Sequence, residues 1–169
     1  MGIELKLTDN TGLYRNALLA QVQAALEAVG GQAETNAKNN LTAASKVDTD
    51  NLRGSITHEV RIAEDAVYIG TPVKYAKYIE YGTGIHGEKP TGSGEKSWWV
   101  YVPGGDGGGE PKGKRYTKQE AYIRVLYLRQ KGIEAYMTQG QKPTHFLRNA
   151  IQEHKDEYKG IIEQHLRGG

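Results

Sequence analysis

Gly82-Thr83-Gly84-Ile85-His86-Gly87 has the spacing G-x-G-x-x-G, the pattern that lets a backbone turn cradle a pyrophosphate at a helix N-terminus. That chemistry needs a strand before the glycines and a helix after them. Here a tyrosine-rich helical stretch precedes the glycines, and Glu88-Lys89-Pro90-Thr91-Gly92, which cannot open a helix, follows. The pattern therefore reads as a flexible glycine loop. Gly94-Glu95-Lys96-Ser97 has the ending of a phosphate loop but no Gly directly before the Lys. Of the five histidines, none stands in H-E-x-x-H. His154 and His165 are predicted on one face of one helix, about three turns apart, which is too far to share an ion. Asp48 and Asp50 could hold a cation, but no calcium-loop pattern follows, and a capping turn is the simpler reading. Ser55 lies outside a G-x-S-x-G elbow and has no base placed for it. There is no cysteine, which excludes disulfides and thiolate ligands. The sequence reads as a non-enzyme without cofactor or metal.

One segment is strongly basic. Lys112, Lys114, Arg115, Lys118, Arg124, Arg129 and Lys131 face a single acid, Glu120, with Tyr116, Tyr122 and Tyr127 interleaved. Such a stretch can contact phosphates, so one reading is a nucleic-acid-binding module using residues 112–131. The favoured reading is a solvated amphipathic helix whose cations suit its C-terminus. The net charge of +2 is too balanced for a dedicated nucleic-acid binder.

The elements that must position these groups follow from periodicity. A chain of 169 residues that is 37% hydrophobic suggests one domain with a modest core. Ile3-Leu5-Leu7 alternates like a strand. From Leu13 to Ser45, apolar residues recur at helical spacing, with Asn10 or Thr11 as cap and Gly30-Gly31 as a kink or split. Unbroken, that helix is about 50 Å long, more than a small globule covers, so part of it should pack on neighbouring subunits. Asp48 to Asn51 reads as a turn, residues 55–62 and 66–69 as a hairpin, and Thr71-Pro72 as the start of a short helix ended by Gly82. Residues 82–115 hold 11 of the 22 glycines and read as an insertion. Trp98-Trp99-Val100-Tyr101-Val102 is its one strand, with Ile133 to Thr138 as partner. Thr117 to Glu120 is a capping box opening a helix that Gly132 ends, and a last helix starts near Thr144. The expected fold is α+β: an antiparallel sheet of about four strands packed by a long N-terminal helix and a C-terminal helix, one domain over 1–169 with a flexible insertion at 82–115. No stretch has the length and apolarity of a membrane span.

Three short motifs stand in order along these elements. They are VDTDNLRGSI from Val47, VKYAKYIEYGTG from Val73 and GQKPTHFLRNAI from Gly140. Together they resemble the minor tail-component family of tailed bacteriophages, comprising neck, head–tail connector and tail-completion proteins. The matching positions are Asp48, Thr49, Asn51, Leu52, Arg53, Ser55 and Ile56, then Tyr75, Ala76, Tyr78, Ile79, Glu80, Tyr81, Gly82 and Thr83, then Pro143, Phe146, Leu147, Arg148 and Ala150. Asp50 departs from the family, which often has Gly there. The resemblance implies a structural virion protein, from a free phage or a prophage, assembled in the host cytoplasm at the head–tail junction. Its implied partners are copies of itself in a ring, though subunits can stay monomeric in solution, and other neck, head-completion or tail proteins. Trp98, Trp99, Lys112, Lys114, Arg115, Lys118 and Arg124 are the candidate assembly or DNA-facing residues, with transient contact to genome DNA. Leu52 and Ile56 should pack on the first helix, Phe146 and Leu147 should anchor the last, and Arg53 and Glu80 are candidates for an ion pair.

Overall fold

The computed structural model describes residues 9–44, 49–90, 95–103 and 113–167. The strand expected at Ile3 to Leu7, and Asp48 and Lys112, lie outside these residues. The chain divides into two compact units, residues 1–72 with 147–169 and residues 73–146.

The first unit is built on α1 (Thr11–Ala43). Asn10 takes the N-cap position of this helix without a side-chain bond, and the Asp9 carboxylate before it accepts from the Thr11 N–H at 2.9 Å and from the Thr11 hydroxyl at 2.5 Å. Those two bonds hold the Asp9 carboxyl below its usual range. The helix runs unbroken through Gly30-Gly31, so the expected split is absent. The hairpin packed on α1 supplies the reason. A Cβ on Gly30 would stand 2.3 Å from His58 Cδ2 and 2.9 Å from Val67 Cγ2, whereas one on Gly31 would meet nothing. Gly30 is a seat for a side chain rather than a hinge.

A helical turn, α2 (Thr49–Gly54), replaces the expected turn at Asp48 to Asn51 and contacts α1. Leu52 and Ile56 are fully buried. The hairpin of β1 (Thr57–Arg61) and β2 (Ala66–Gly70) is antiparallel, with His58 opposite Ile69 and Val60 opposite Val67. Asp65 takes the left-handed conformation between the strands, at φ 48°.

The predicted last helix is two helices, α5 (Phe146–Gln152) and α6 (Lys155–Arg167). His154 therefore lies in the break, bonded to Glu157 at 2.8 Å, and does not share a helix with His165. Tyr158 of α6 inserts beside Val29 and Ala33, with Val67, Ile69, Ile161 and Ile162 around it. Its hydroxyl donates to the Ala150 carbonyl at 2.6 Å and accepts from Asn36 Nδ2 at 3.0 Å. Burial pushes the Tyr158 hydroxyl up in pKa, and the Asn36 bond opposes the shift.

The second unit holds α3 (Ala76–Glu80), β3 (Trp99–Tyr101), α4 (Lys118–Gln130) and β4 (Tyr136–Thr138). The α3 helix begins at Ala76, not at Thr71-Pro72. β3 and β4 are antiparallel, with Val100 opposite Met137. α4 lays Val125 and Leu128 on that pair, with Ala135, Val100, Val102, Ile133 and Met137 completing the cluster. The capping box forms as expected: Thr117 Oγ1 accepts from the Glu120 N–H at 3.2 Å, and Glu120 accepts from the Thr117 N–H at 2.8 Å.

The architecture is mixed helix and strand. The four described strands, however, make two sheets of two strands each instead of one sheet. Each strand pair takes its apolar cover from a different helix, β1–β2 from α1 and β3–β4 from α4.

Candidate assembly surfaces

The first motif is an anchored turn. Ser55 Oγ donates to the Leu52 carbonyl at 2.7 Å and shares a 2.6 Å bond with Thr71 Oγ1. Leu52 and Ile56 point into the unit, while Asn51 and Arg53 are exposed. Arg53 belongs to the first unit and the buried Glu80 to the second.

The second and third motifs are brought together backbone to backbone within the second unit. Helix α3 ends with orphan carbonyls, as every helix does. Here the third motif satisfies them. Gln141 Nε2 donates to the Tyr78 carbonyl at 2.8 Å, the Thr144 N–H to Ile79 at 2.9 Å, and the His145 N–H to Glu80 at 3.1 Å. In the other direction the Thr83 N–H reaches the Gln141 carbonyl at 2.9 Å, and the Ile85 N–H reaches Gln139 at 3.0 Å. The two segments cross so closely that a Cβ on Gly84 would stand 2.1 Å from the Gln139 oxygen, and one on Gly140 2.1 Å from the Thr83 oxygen. Gly82, Gly84 and Gly140 all have positive φ. His145 also takes φ 52°, rare for a residue with a side chain. The glycine loop thus spends its Thr83 and Ile85 amides on the neighbouring segment, and those donors are not presented to a phosphate. Tyr75 and Pro143 are partly buried, Tyr78 and Tyr81 are exposed, and Lys77 lies over the Tyr78 ring at 5.1 Å. Phe146 is fully buried and Leu147 partly.

Among the described residues, two apolar groups remain exposed inside their own units. Leu13, Tyr14, Leu18 and Leu19, in the first turns of α1, are all exposed, Tyr14 by 75%. On α4, Ala121, Val125 and Leu128 turn inward, which leaves Tyr122, Ile123, Leu126 and Tyr127 outside. Lys114, Arg115 and Lys118 are exposed and Arg124 is half-buried. The cations lie on the chain's own rings, Arg124 at 4.9 Å and Lys131 at 4.5 Å from the Tyr127 centroid, and Lys114 at 5.0 Å from Tyr116. The Lys131 bond lowers the Tyr127 pKa. Trp98 exchanges both backbone bonds with Tyr116, and both tryptophans are half-buried.

Sequence reasoning missed one cluster. His58 Nδ1 lies 2.8 Å from Glu34 and Nε2 lies 3.3 Å from Glu27, so one imidazole bridges two carboxylates about two turns apart on one face of α1. Lys38 also bonds Glu34. The bond from Lys38, helped by that from His58, holds the Glu34 carboxyl below its ordinary value against the opposing effect of burial. The signal was present in the sequence as a glycine pair inside an otherwise strong helix. Among the described residues no group of three or more His, Asp or Glu could hold a metal ion, and no helix is long and apolar enough to cross a membrane.

Comparison with known proteins gives one family. Residues 6–82 match the HK97-gp10-like model, described as "Bacteriophage HK97-gp10, putative tail-component". No curated protein and no solved structure matches the chain. The matched span is a little under half the sequence and holds the first motif and most of the second; GQKPTHFLRNAI lies beyond it. From its first helix to the glycine that follows α3, the chain is similar to the tail components of tailed bacteriophages.

Proposed function

We propose that the chain is a structural subunit of a tailed-phage or prophage virion, placed at the head–tail junction, where it joins or completes the tail. Its partners on this reading are copies of itself in a ring and the neighbouring neck, head-completion or tail proteins. Its role is assembly rather than catalysis. The observation that carries the reading is the match of residues 6–82 to a phage tail-component family. Two features support it. The second and third motifs serve to brace one another, as expected of a scaffold, and the two apolar faces on α1 and α4 suit a subunit completed by neighbours.

Electron microscopy of a lysate from which this gene has been deleted tests the proposal. Packaged heads with separate tails, or tails of faulty length, and no infectious particles are expected. Joined, infectious virions would refute it.

A further inference from the structure

We propose that the outer face of α4 docks a second copy of this chain, receiving the acidic end of that copy's β1–β2 hairpin. The inference rests on the self-assembly reading above and names the surfaces.

Tyr122, Ile123, Leu126 and Tyr127 are 42% to 58% exposed within three turns of one helix. Two aliphatic and two aromatic side chains so placed have the composition of an interface centre. Exposed Lys118, Arg129 and Lys131 rim them. The chain carries the complement to that charge. Residues 73–146 hold twelve Lys or Arg against seven Asp or Glu, a net +5, whereas residues 1–72 with 147–169 hold ten against thirteen, a net −3. One exposed acidic excess in the first unit is the hairpin end, where Glu59, Glu64 and Asp65 stand with one cation, Arg61, which bonds both glutamates, beside the half-exposed Tyr68. Positive rim and negative tip are thus both present on every copy.

The same geometry disfavours a nucleic acid as occupant. Single-strand binders stack bases on open aromatic faces. Here the Tyr127 ring already carries Arg124 and Lys131, and the Tyr136 ring carries Arg129 at 5.3 Å. Ile123 and Leu126 would gain nothing from a phosphate backbone. A contact between two different surfaces is heterologous, so copies add in one direction and close into a ring only if the rotation permits.

Sedimentation equilibrium of the full chain at low salt, up to about 0.5 mM, tests this. Concentration-dependent association is expected, weaker by at least about tenfold in Leu126→Asp and in Lys131→Glu, as for loss of a central interface group. Glu64→Lys should weaken it likewise, and mixing the Lys131→Glu chain with the Glu64→Lys chain should restore it, because each then offers the other a matched surface. These side chains are exposed, and circular dichroism verifies that each variant stays folded. No association of the unaltered chain at any concentration would overturn this inference, while the deletion lysate tests the self-assembly reading separately. Association indifferent to the α4 and hairpin variants would overturn this inference alone. Tight binding of a duplex oligonucleotide at physiological salt, lost in Lys131→Glu, would overturn it in favour of nucleic acid.

Discussion

Gly30 and Gly31 are adjacent glycines in one unbroken helix, and they should respond oppositely to the same substitution. Glycine inside a helix costs roughly 0.5–1 kcal/mol relative to alanine. At Gly31 an added Cβ meets nothing, so Gly31→Ala should stabilise by about that amount. At Gly30 the new methyl would stand 2.3 Å from His58 Cδ2 and 2.8 Å from Cγ, well inside contact distance. The clash is with the body of a ring, which can escape only by moving as a whole. Moving it stretches the bonds to Glu34 and Glu27, now 2.8 Å and 3.3 Å. Overpacking costs about 1–3 kcal/mol, and a hydrogen bond to a charged group about 1.5–3 kcal/mol, the latter reduced here because the cluster is partly open to water. Set against the helical gain, Gly30→Ala should destabilise by roughly 1–4 kcal/mol. Urea unfolding followed by far-ultraviolet circular dichroism measures the two variants side by side. Repeating Gly30→Ala in a His58→Ala background should recover part of the loss, since the principal obstacle is gone. If Gly30→Ala and Gly31→Ala stabilise equally, Gly30 is not a seat for His58 and the reasoning fails.

Phe146→Ala should destabilise by about 3–5 kcal/mol in the same assay, because it empties a fully buried aromatic site; a loss under about 1 kcal/mol would contradict that burial. Gly84→Ala should destabilise by more than the roughly 1–2 kcal/mol of a left-handed alanine, since its Cβ also strikes the Gln139 backbone, whereas Gly132→Ala, at φ 76° with nothing nearby, should show the conformational penalty alone. The depressed Glu34 carboxyl contributes stability that is fully present above the ordinary glutamate range and is lost as pH falls through its lower folded value. Urea midpoints measured from pH 7 down to pH 3 should therefore fall less steeply for Glu34→Gln than for the unaltered chain; parallel profiles would remove Glu34 from the account.

Local signals were legible where the physics is local. Thr117 and Glu120 three residues apart announce a capping box, the 55–69 alternation announces a hairpin, and the basic end of α4 with Gly132 announces its stop, all as found. The division into two sheets was not legible. Strand period reports that a residue has an inward face, but not which helix covers it, and α1 and α4 each claim one pair. The last helix was predicted as continuous because Leu147, Ile151, His154 and Tyr158 keep helical spacing across a break that only tertiary bonding reveals. The first motif and most of the second fall within the family match, yet the mutual bracing of the second and third depends on contacts across 58 residues, which no periodicity encodes. Gly30 was misread for the same reason, since its meaning lies on β1.

The brace between α3 and the Gln139–His145 segment has a consequence for chain length. Its bonds join Thr83 to Gln141, so everything between them, including β3, α4 and β4, hangs from a closed loop of 58 residues. The entropy of closing a flexible loop grows only with the logarithm of its length, and doubling it costs about 0.6 kcal/mol. Lengthening or shortening the inserted part should thus leave the brace nearly as stable as before. Such a chain can keep a fixed clasp while exchanging the surface hung from it, a permissive arrangement for changing docking partners without rebuilding the rest of the subunit.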